Sequence, residues 1–285
     1  MTSPAPQDLV VTRAMPDDWP VIVDWAADEG WNPGLSDITA FFAQDSEGFF
    51  VGRIDGEPVS AVSVVTYGAD YAFLGWYLVR PDLRGRGHGL TTWKTALAHA
   101  GDRTVGLDGV VAQQDNYRQS GFELAYRTAR FGGEAPAAAE LPAGVRAARA
   151  GDLAAITAYD GACCPADRPD FVAAWLSEAG HRTLVRHDGD RLTGYGVIRP
   201  ARDGLRIGPL FADTADDARA LFTGLTAGAA GERVAIDVPE TSTAGVALVE
   251  AAGFSPSFET ARMYTGPVRA HAQERVFGVT TLELG

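Results

Sequence analysis

Hydrophobic and polar residues follow two periods along the chain, and these periods predict an alternation of strands and helices. Apolar and branched residues over Phe49–Ile54 and Pro58–Thr66 flank Asp55-Gly56, a dipeptide typical of a hairpin turn. A strand rich in aromatic residues is predicted over Tyr71–Val79, and a helix from about Leu90 to Ala100 follows it. The other elements predicted for this part are a strand at Leu9–Arg13, helices at Asp17–Asp28 and Ser36–Gln44, the second capped by Ser36, a strand at Thr104–Leu107, a helix at Gln113–Ser120 and a strand at Phe122–Phe131. This order predicts an α/β (α+β) fold in which a central mixed β-sheet is flanked by helices.

Three local patterns occur twice in the same order, spaced by 132 to 134 residues. A strand that leads into an acidic helix start, a hairpin turn, and a Gly-Phe pair after a helix all recur; the pairs begin at Val11 and Val145, at Asp55 and Asp188, and at Gly121 and Gly253. A constant offset of this kind predicts two tandem copies of one fold.

The segment between the copies is rich in Ala, Pro and Gly and lacks strand alternation, so it is interpreted as a linker. The predicted organisation is a first domain over residues 1–133, a linker over 134–144 and a second domain over 145–285. The second copy ends in an additional predicted strand, Val276–Leu284, which has no counterpart in the first copy. We expect this strand to pack across the junction.

Composition narrows the classes of partner. The 285 residues carry a formal charge of −13, which disfavours nucleic acid and suits a cationic or amine-bearing partner. No apolar run approaches the roughly 20 residues that cross a bilayer, and residues 1–7 do not resemble a signal peptide, so a cytoplasmic protein without a membrane partner is expected. A homodimer stays an open alternative. The adjacent Cys163 and Cys164 exclude a disulfide framework and, with few histidines, no metal site is expected; they are interpreted as packed thiols.

The strongest chemical signal is the turn Arg84-Gly85-Arg86-Gly87-His88-Gly89, which follows the predicted strand ending at Val79. Glycines allow the backbone to approach a bound anion closely, and the helix that follows directs free N–H groups and the positive end of its dipole at the same point. Two arginines add charged donors. The turn therefore predicts a phosphate or pyrophosphate site. It lacks the Gly-Lys-Ser/Thr of a Walker loop and the spacing of a dinucleotide fingerprint.

This turn resembles the acetyl-CoA motif of the GCN5-related N-acetyltransferase (GNAT) family, Q/R-x-x-G-x-G/A, with Arg84, Gly87 and Gly89 at the defining positions. The element order is similar to that family's fold, and the two-domain order resembles its YitH/HolE-like branch. The resemblance implies acetyl-CoA (or another acyl-CoA) as cofactor. It also implies that the strand before the turn splays from its neighbour and offers free backbone groups to the pantetheine arm; an unpaired edge held open by Gly109 or by a bulge would serve that end. The implied cofactor-binding residues are Leu78, Val79, Arg84, Gly85, Arg86, Gly87, His88, Gly89, Thr91 and Asn116.

Amine attack on a thioester requires a proton acceptor for the amine and a proton donor for the departing thiolate. The segment Tyr117-x-x-x-Gly121-Phe122 resembles the family's Y-x-x-x-G-F, which implies Tyr117 as the acid; packing of this ring on Phe122 is the alternative. Asp108 and Glu29 are the candidate bases, although a solvent-facing role is an alternative for each. Trp31 and Glu29 are the expected acceptor-site residues, whereas Trp25 fits a helix's core face equally well.

In the second copy, the segment equivalent to the turn is Ala212–Ala218, which has no glycine and three aspartates, and Val249 stands in place of Tyr117. This copy is therefore predicted to be non-catalytic, serving as a packing partner or as a wall of the acceptor cleft. The sequence as a whole predicts an acetyl-CoA-dependent N-acetyltransferase that acts on a small-molecule amine by direct attack. The alternatives are transfer to a protein amine or from a carrier-bound acyl group, and a non-catalytic CoA-binding sensor or scaffold.

Overall fold

The computed structural model describes residues 8–137 and 140–285. Residues 1–7, which are not expected to be a signal peptide, and residues 138 and 139 of the predicted linker lie outside the described residues. The first half contains β1 Val10–Arg13, α1 Trp19–Asp28, α2 Asp37–Gln44, β2 Phe49–Ile54, β3 Glu57–Tyr67, β4 Tyr71–Val79, α3 His88–Leu97, β5 Thr104–Val110, α4 Gln114–Gln119 and β6 Glu123–Glu134. The second half contains β7 Val145–Ala147, α5 Leu153–Cys163, α6 Pro169–Ser177, β8 Arg182–Asp188, β9 Arg191–Pro200, β10 Leu205–Ala212, α7 Ala215–Thr226, β11 Arg233–Pro239, α8 Thr243–Ala251, β12 Ser255–Tyr264 and β13 Val276–Gly278.

The mixed α/β fold and the repeated element order predicted from the sequence are confirmed. Asp55 and Gly56 both adopt positive φ in the β2–β3 hairpin, as the turn dipeptide predicted. Cys163 and Cys164 are buried free thiols. Ser36 does occupy the N-cap position of α2, but its side chain makes no capping hydrogen bond, so the expected cap is absent. Among the described residues, none of the helices has the length and apolarity that a membrane-spanning helix requires.

All strands join one sheet in which the two halves exchange their last long strands. The order is β1-β2-β3-β4-β5-β12-β6-β11-β10-β9-β8-β7, with β13 pairing to β10 off this path. Strand β12 of the second half lies between β5 and β6, and β6 of the first half lies between β12 and β11. The order of strands is therefore the same when read from either end of the sheet. In each half, the fifth strand (β5 or β11) is followed by the last long strand of the other half (β12 or β6).

Two buried ion pairs lie at the two joints of this exchange. Arg262 on β12 is opposite Asp108 on β5, with Nη2 to Oδ2 at 2.6 Å, and Arg130 on β6 is opposite Asp237 on β11, with Nε to Oδ1 at 2.7 Å. Burial opposes the Asp237 carboxylate, but the guanidinium groups of Arg130 and Arg206 outweigh this effect and hold the pKa of Asp237 well below its usual range. Equivalent pairs thus fix the register of both exchanged strands.

A central core fills the space where the helices of the two halves meet. Helix α2 packs on α6, and the rings of Phe41 and Trp175 stack with centroids 6.2 Å apart. Segment 276–285 also enters this core, since Val279, Leu282 and Leu284 belong to it. The predicted strand Val276–Leu284 is too long: the strand ends at Gly278, and beyond it the Leu284 amide donates to Thr281 Oγ1 while the Leu284 carbonyl accepts from Tyr67 of the first half.

Asp237→Ala is expected to lower the free energy of unfolding by about 3–5 kcal/mol, because it leaves Arg130 and Arg206 buried without their shared carboxylate. Asp216→Ala is the control: it removes an exposed pair with Arg219 and should cost less than about 1 kcal/mol. Urea denaturation followed by circular dichroism measures both. Equal urea midpoints for the two variants would contradict the conclusion that Asp237 stabilises the fold by pairing with buried arginines.

Candidate active site

Strands β4 and β5 pair for only part of their length and then diverge. Their parallel ladder runs from Tyr71 opposite Thr104 to Leu74 opposite Leu107 and stops there. Strand β4 then bulges at Trp76, a buried residue with φ 51°, whose ring is packed among Trp19, Trp31 and Phe41. A bulged residue in the left-handed region persists only where its surroundings hold it, and this bulge bends β4 away from β5. The result is a cleft of about 450 Å³ between the ends of the two strands.

The glycine turn closes one end of this cleft. Gly85 and Gly87 have φ values of 74° and 86°, and nothing lies within 4 Å of the place where a Cβ would stand on either. Gly87 is the N-cap of α3, which begins at His88 rather than at Leu90, so the first free N–H groups of the helix belong to the turn itself. Gly89 is needed for close packing, because a Cβ there would lie 2.7 Å from the Tyr77 hydroxyl. These features form an open site that suits the binding of an anion.

The two arginines of the turn differ in their surroundings. Arg84 lines the cleft; its Nε donates to the Val79 carbonyl at 3.0 Å, and its Nη2 is paired with Glu29. Arg86 is exposed and does not line the cleft. The turn therefore presents one arginine that is held in the cleft and one that is exposed outside it.

Tyr117 lines the cleft, where its ring lies against Gly109 of β5. A Cβ on Gly109 would collide with its ring, and the ring stacks on Trp93 with centroids 5.8 Å apart. Burial, with a smaller contribution from Tyr77, raises the pKa of Tyr117 well above its usual value. The phenol is therefore protonated at neutral pH, which is the state that a proton donor requires.

The two carboxylates that the sequence offered as bases are both held by arginines. Asp108 places both oxygens on Arg262, at 3.0 and 2.6 Å, and its side chain has no exposed surface. Glu29 lines the cleft and is paired with Arg84. Burial raises the pKa of Asp108 in spite of the opposing effect of Arg262, but both of its oxygens are bound to that arginine. Because Glu29 is likewise paired with Arg84, neither residue is placed as a free base.

The cleft brings together most of the residues singled out from the sequence but not all of them. Those lining it are Glu29, Trp31, Leu78, Val79, Arg84, Gly85, Gly87, His88, Gly89, Asp108 and Tyr117. Arg86, Thr91 and Asn116 are not among the lining residues: Thr91 Oγ1 donates to the Gly87 carbonyl, and the Asn116 amide donates to Gln113 at 2.6 Å. Trp25 packs against the central core rather than the cleft.

Sequence reasoning missed the residues that reach the cleft through the strand exchange. Phe258 and Thr260 come from β12, Leu282 and Glu283 from segment 276–285, and Arg130 from β6. The only sequence feature that pointed to them was the unmatched strand predicted at the end of the second copy. Their place at the cleft depends on which strands pair and in which register, and a local sequence pattern does not show this.

In the second half the equivalent cleft is filled by the chain itself. Strands β10 and β11 pair only over Leu205–Ile207, and β13 then pairs with β10 while the Val279 amide donates to the Asp237 carbonyl of β11 at 2.9 Å. The start of α7 is also occupied, because Thr214 Oγ1 accepts from the Asp217 amide and two aspartates stand in the first turn. Neither the strand splay nor the helix start is open to a ligand.

Comparisons with known proteins agree with this architecture. A model of the acetyltransferase (GNAT) family matches residues 13–122, and a model of an acetyltransferase (GNAT) domain matches residues 156–278. The chain is 34% identical to the holothin acyltransferase of Pseudoalteromonas sp. (strain SANK 73390), over 94% of this chain and 92% of the relative. It is 23% identical to the N-acetyltransferase YitH of Bacillus subtilis (strain 168), whose own function is uncharacterised, over 75% and 76%. The fold matches a candidate acetyltransferase from Pyrococcus horikoshii with a TM-score of 0.83 at 21% identity, over 100% and 99% of the two chains.

Proposed function

The chain belongs to the GCN5-related N-acetyltransferase family as a tandem member and is an acyltransferase, and from this premise we propose that its first half transfers an acetyl group from acetyl-CoA to the amine of a small molecule. The observation that carries the proposal is the cleft between the splayed ends of β4 and β5, with an open glycine turn at the start of α3 on its rim. The second half, whose equivalent cleft is filled, is proposed to be non-catalytic.

The donor set of the cleft fits an acyl-CoA. The free N–H groups at the start of α3, the open space at Gly85 and Gly87, and the Arg84 guanidinium suit a pyrophosphate. The backbone of Leu78 and Val79 faces the splay and suits an extended arm that carries amides. Acyl-CoA, when bound, supplies the acyl group as an activated thioester. In this arrangement Glu29 holds Arg84 beside the proposed phosphate site, and Asp108 binds Arg262 of β12.

The remaining roles follow from where each residue lies. Tyr117, protonated and on the cleft wall, donates its proton to the departing thiolate. Backbone N–H groups next to the Trp76 bulge polarise the acyl carbonyl. Trp31, Phe258 and Leu282 give the acceptor side an apolar, partly aromatic surface. His88, Gly89, Arg86, Thr91 and Asn116 are proposed as peripheral contacts of the cofactor, nearer its phosphates or its arm.

The charges of the cleft bear on the acceptor. Glu29 is paired with Arg84 and Asp108 with Arg262, so the cleft offers less free negative charge than the overall charge of the chain suggests. An amine with an uncharged, flat body therefore fits the acceptor side better than a polycation does. Holothin, which the relative from Pseudoalteromonas is named for acylating, is the first acceptor to test.

The proposed function is tested by an acceptor panel with acetyl-CoA, containing holothin, aromatic amines, aminosugars, spermidine and a lysine peptide. We expect thiol release above background with holothin or an aromatic amine, measured with a chromogenic thiol reagent. Burial raises the pKa of both Cys163 and Cys164, so the protein's own thiols should react little. Tight acetyl-CoA binding without thiol release by any amine would favour a sensor, and release with the peptide alone would favour a protein acceptor.

Gly87→Glu is expected to weaken acetyl-CoA binding by at least about 30-fold in calorimetry, because it places a negative side chain at the helix start where the pyrophosphate is proposed to bind. Gly228→Glu is a matched control, since Gly228 has φ 84° with nothing within 4 Å of a Cβ and lies beyond α7 in the second half. The two variants carry the same charge and the same backbone strain. Equal affinity in both would contradict the placement of the phosphates.

Tyr117→Phe is expected to lower kcat by about 100-fold or more while the KM for acetyl-CoA changes little, because the ring packing is kept and only the proton donor is lost. Tyr77→Phe is the control, since Tyr77 also lines the cleft and packs on Trp93 with centroids 5.0 Å apart. An unchanged kcat for the Tyr117 variant would remove its role as the acid, and a loss in the Tyr77 variant alone would transfer that role.

A further inference from the structure

A group of buried charges lies behind the acceptor side of the cleft. Three arginines and three carboxylates, each at most 5% exposed, form it: Arg130, Arg199, Arg206, Asp37, Asp237 and Glu283. Asp237 is shared by Arg130 and Arg206, and Asp37 binds Arg199 through both of its oxygens. The group is therefore balanced in charge, and Glu283 is the carboxylate that segment 276–285 contributes to it.

Glu283 differs from the other carboxylates in how its oxygens are used. Its Oε1 lies 3.5 Å from Arg206 Nη1, and its Oε2 is buried with no hydrogen-bond partner in the described part of the chain. Asp37, Asp108 and Asp237 each bind guanidinium groups through both oxygens. A buried carboxylate oxygen without a hydrogen-bond donor is unfavourable, so a donor supplied by a ligand would give Glu283 Oε2 the hydrogen bond that it lacks.

Glu283 lies close to the part of the cleft where the acyl carbonyl is proposed to bind. The residue lines the cleft beside Leu282, Arg130 and Trp31. Its main-chain carbonyl packs on Gly75, where a Cβ would collide with it, and Gly75 immediately precedes the bulge at Trp76. Glu283 is therefore held next to the strand feature at which the acyl carbonyl is proposed to bind.

We propose that Glu283 binds the acceptor nitrogen through Oε2 and takes up its proton during transfer, a role that rests on the proposed function. A bond forms between the acceptor nitrogen and the acyl carbon while the bond between that carbon and sulfur breaks. The proton of the nitrogen goes to Glu283 Oε2, and the thiolate receives a proton from Tyr117. Exchange with solvent then returns both side chains to their starting states. The second half thus supplies a catalytic residue to the site of the first.

The test must separate this role from that of a counter-ion for Arg206. Glu283→Gln keeps the shape but not the charge, and we expect kcat to fall about 100-fold while calorimetry shows acetyl-CoA affinity unchanged within twofold. Glu283→Asp, which keeps a carboxylate, should retain at least tenfold more activity than Glu283→Gln. The decisive pair is Arg206→Met against the double variant Arg206→Met/Glu283→Gln, because the two differ only in the carboxylate.

The double variant has a balanced group, with Arg130 and Arg199 facing Asp237 and Asp37, so its thermal midpoint should lie above that of Glu283→Gln. We expect its turnover to be at least tenfold below that of Arg206→Met. Equal turnover in Arg206→Met and the double variant would overturn the role of Glu283. An undiminished kcat in Glu283→Gln, with the unsubstituted protein active, would do the same. Either result leaves the proposed function standing. An unsubstituted protein that binds acetyl-CoA and acylates no amine would overturn both this role and the proposed function.

Discussion

The structure depends on the reciprocal exchange of β6 and β12, fixed by two buried ion pairs at equivalent places, Arg262–Asp108 and Arg130–Asp237. Buried ion pairs often contribute little more to stability than well-packed apolar residues would, but an unpaired buried charge is strongly unfavourable. A shift of either exchanged strand by one residue would separate its arginine from its aspartate and turn every side chain to the opposite face. These pairs therefore select one register, and that register joins the two halves into one sheet.

The exchange also decides where the site is and what it contains. Because β12 lies beside β5, Phe258 and Thr260 of the second half become a wall of the cleft in the first. The chain then runs on to β13 and Glu283. In the proposed function, the cofactor side of this site is made by one half and the acceptor side largely by the other, so a change of acceptor would leave the proposed phosphate site undisturbed.

The cleft of the second half is filled by the same segment of chain that reaches the site of the first half. Strand β13 fills the splay between β10 and β11, where a ligand arm would otherwise lie, and the residues that follow it continue into the first half's site. Closing one cleft and completing the other are thus two consequences of one segment. The acidic residues at the start of α7 predict that the second copy binds no phosphate. The filled splay is a second, independent reason for the same conclusion.

The sequence by itself determined the features that depend on neighbours in the chain. The hairpin at Asp55-Gly56, the glycine turn before α3 and the repeated element order follow from local backbone preferences and periodicity, and the structure has all three. It also indicated Tyr117 and Trp31 as cleft residues, through a motif and a local aromatic pattern. Only the tertiary structure decided the partners of the charged groups: Asp108 meets Arg262 and Glu283 meets Arg206 across long stretches of chain. Such meetings depend on strand register and on the exchange between halves, which no local pattern encodes.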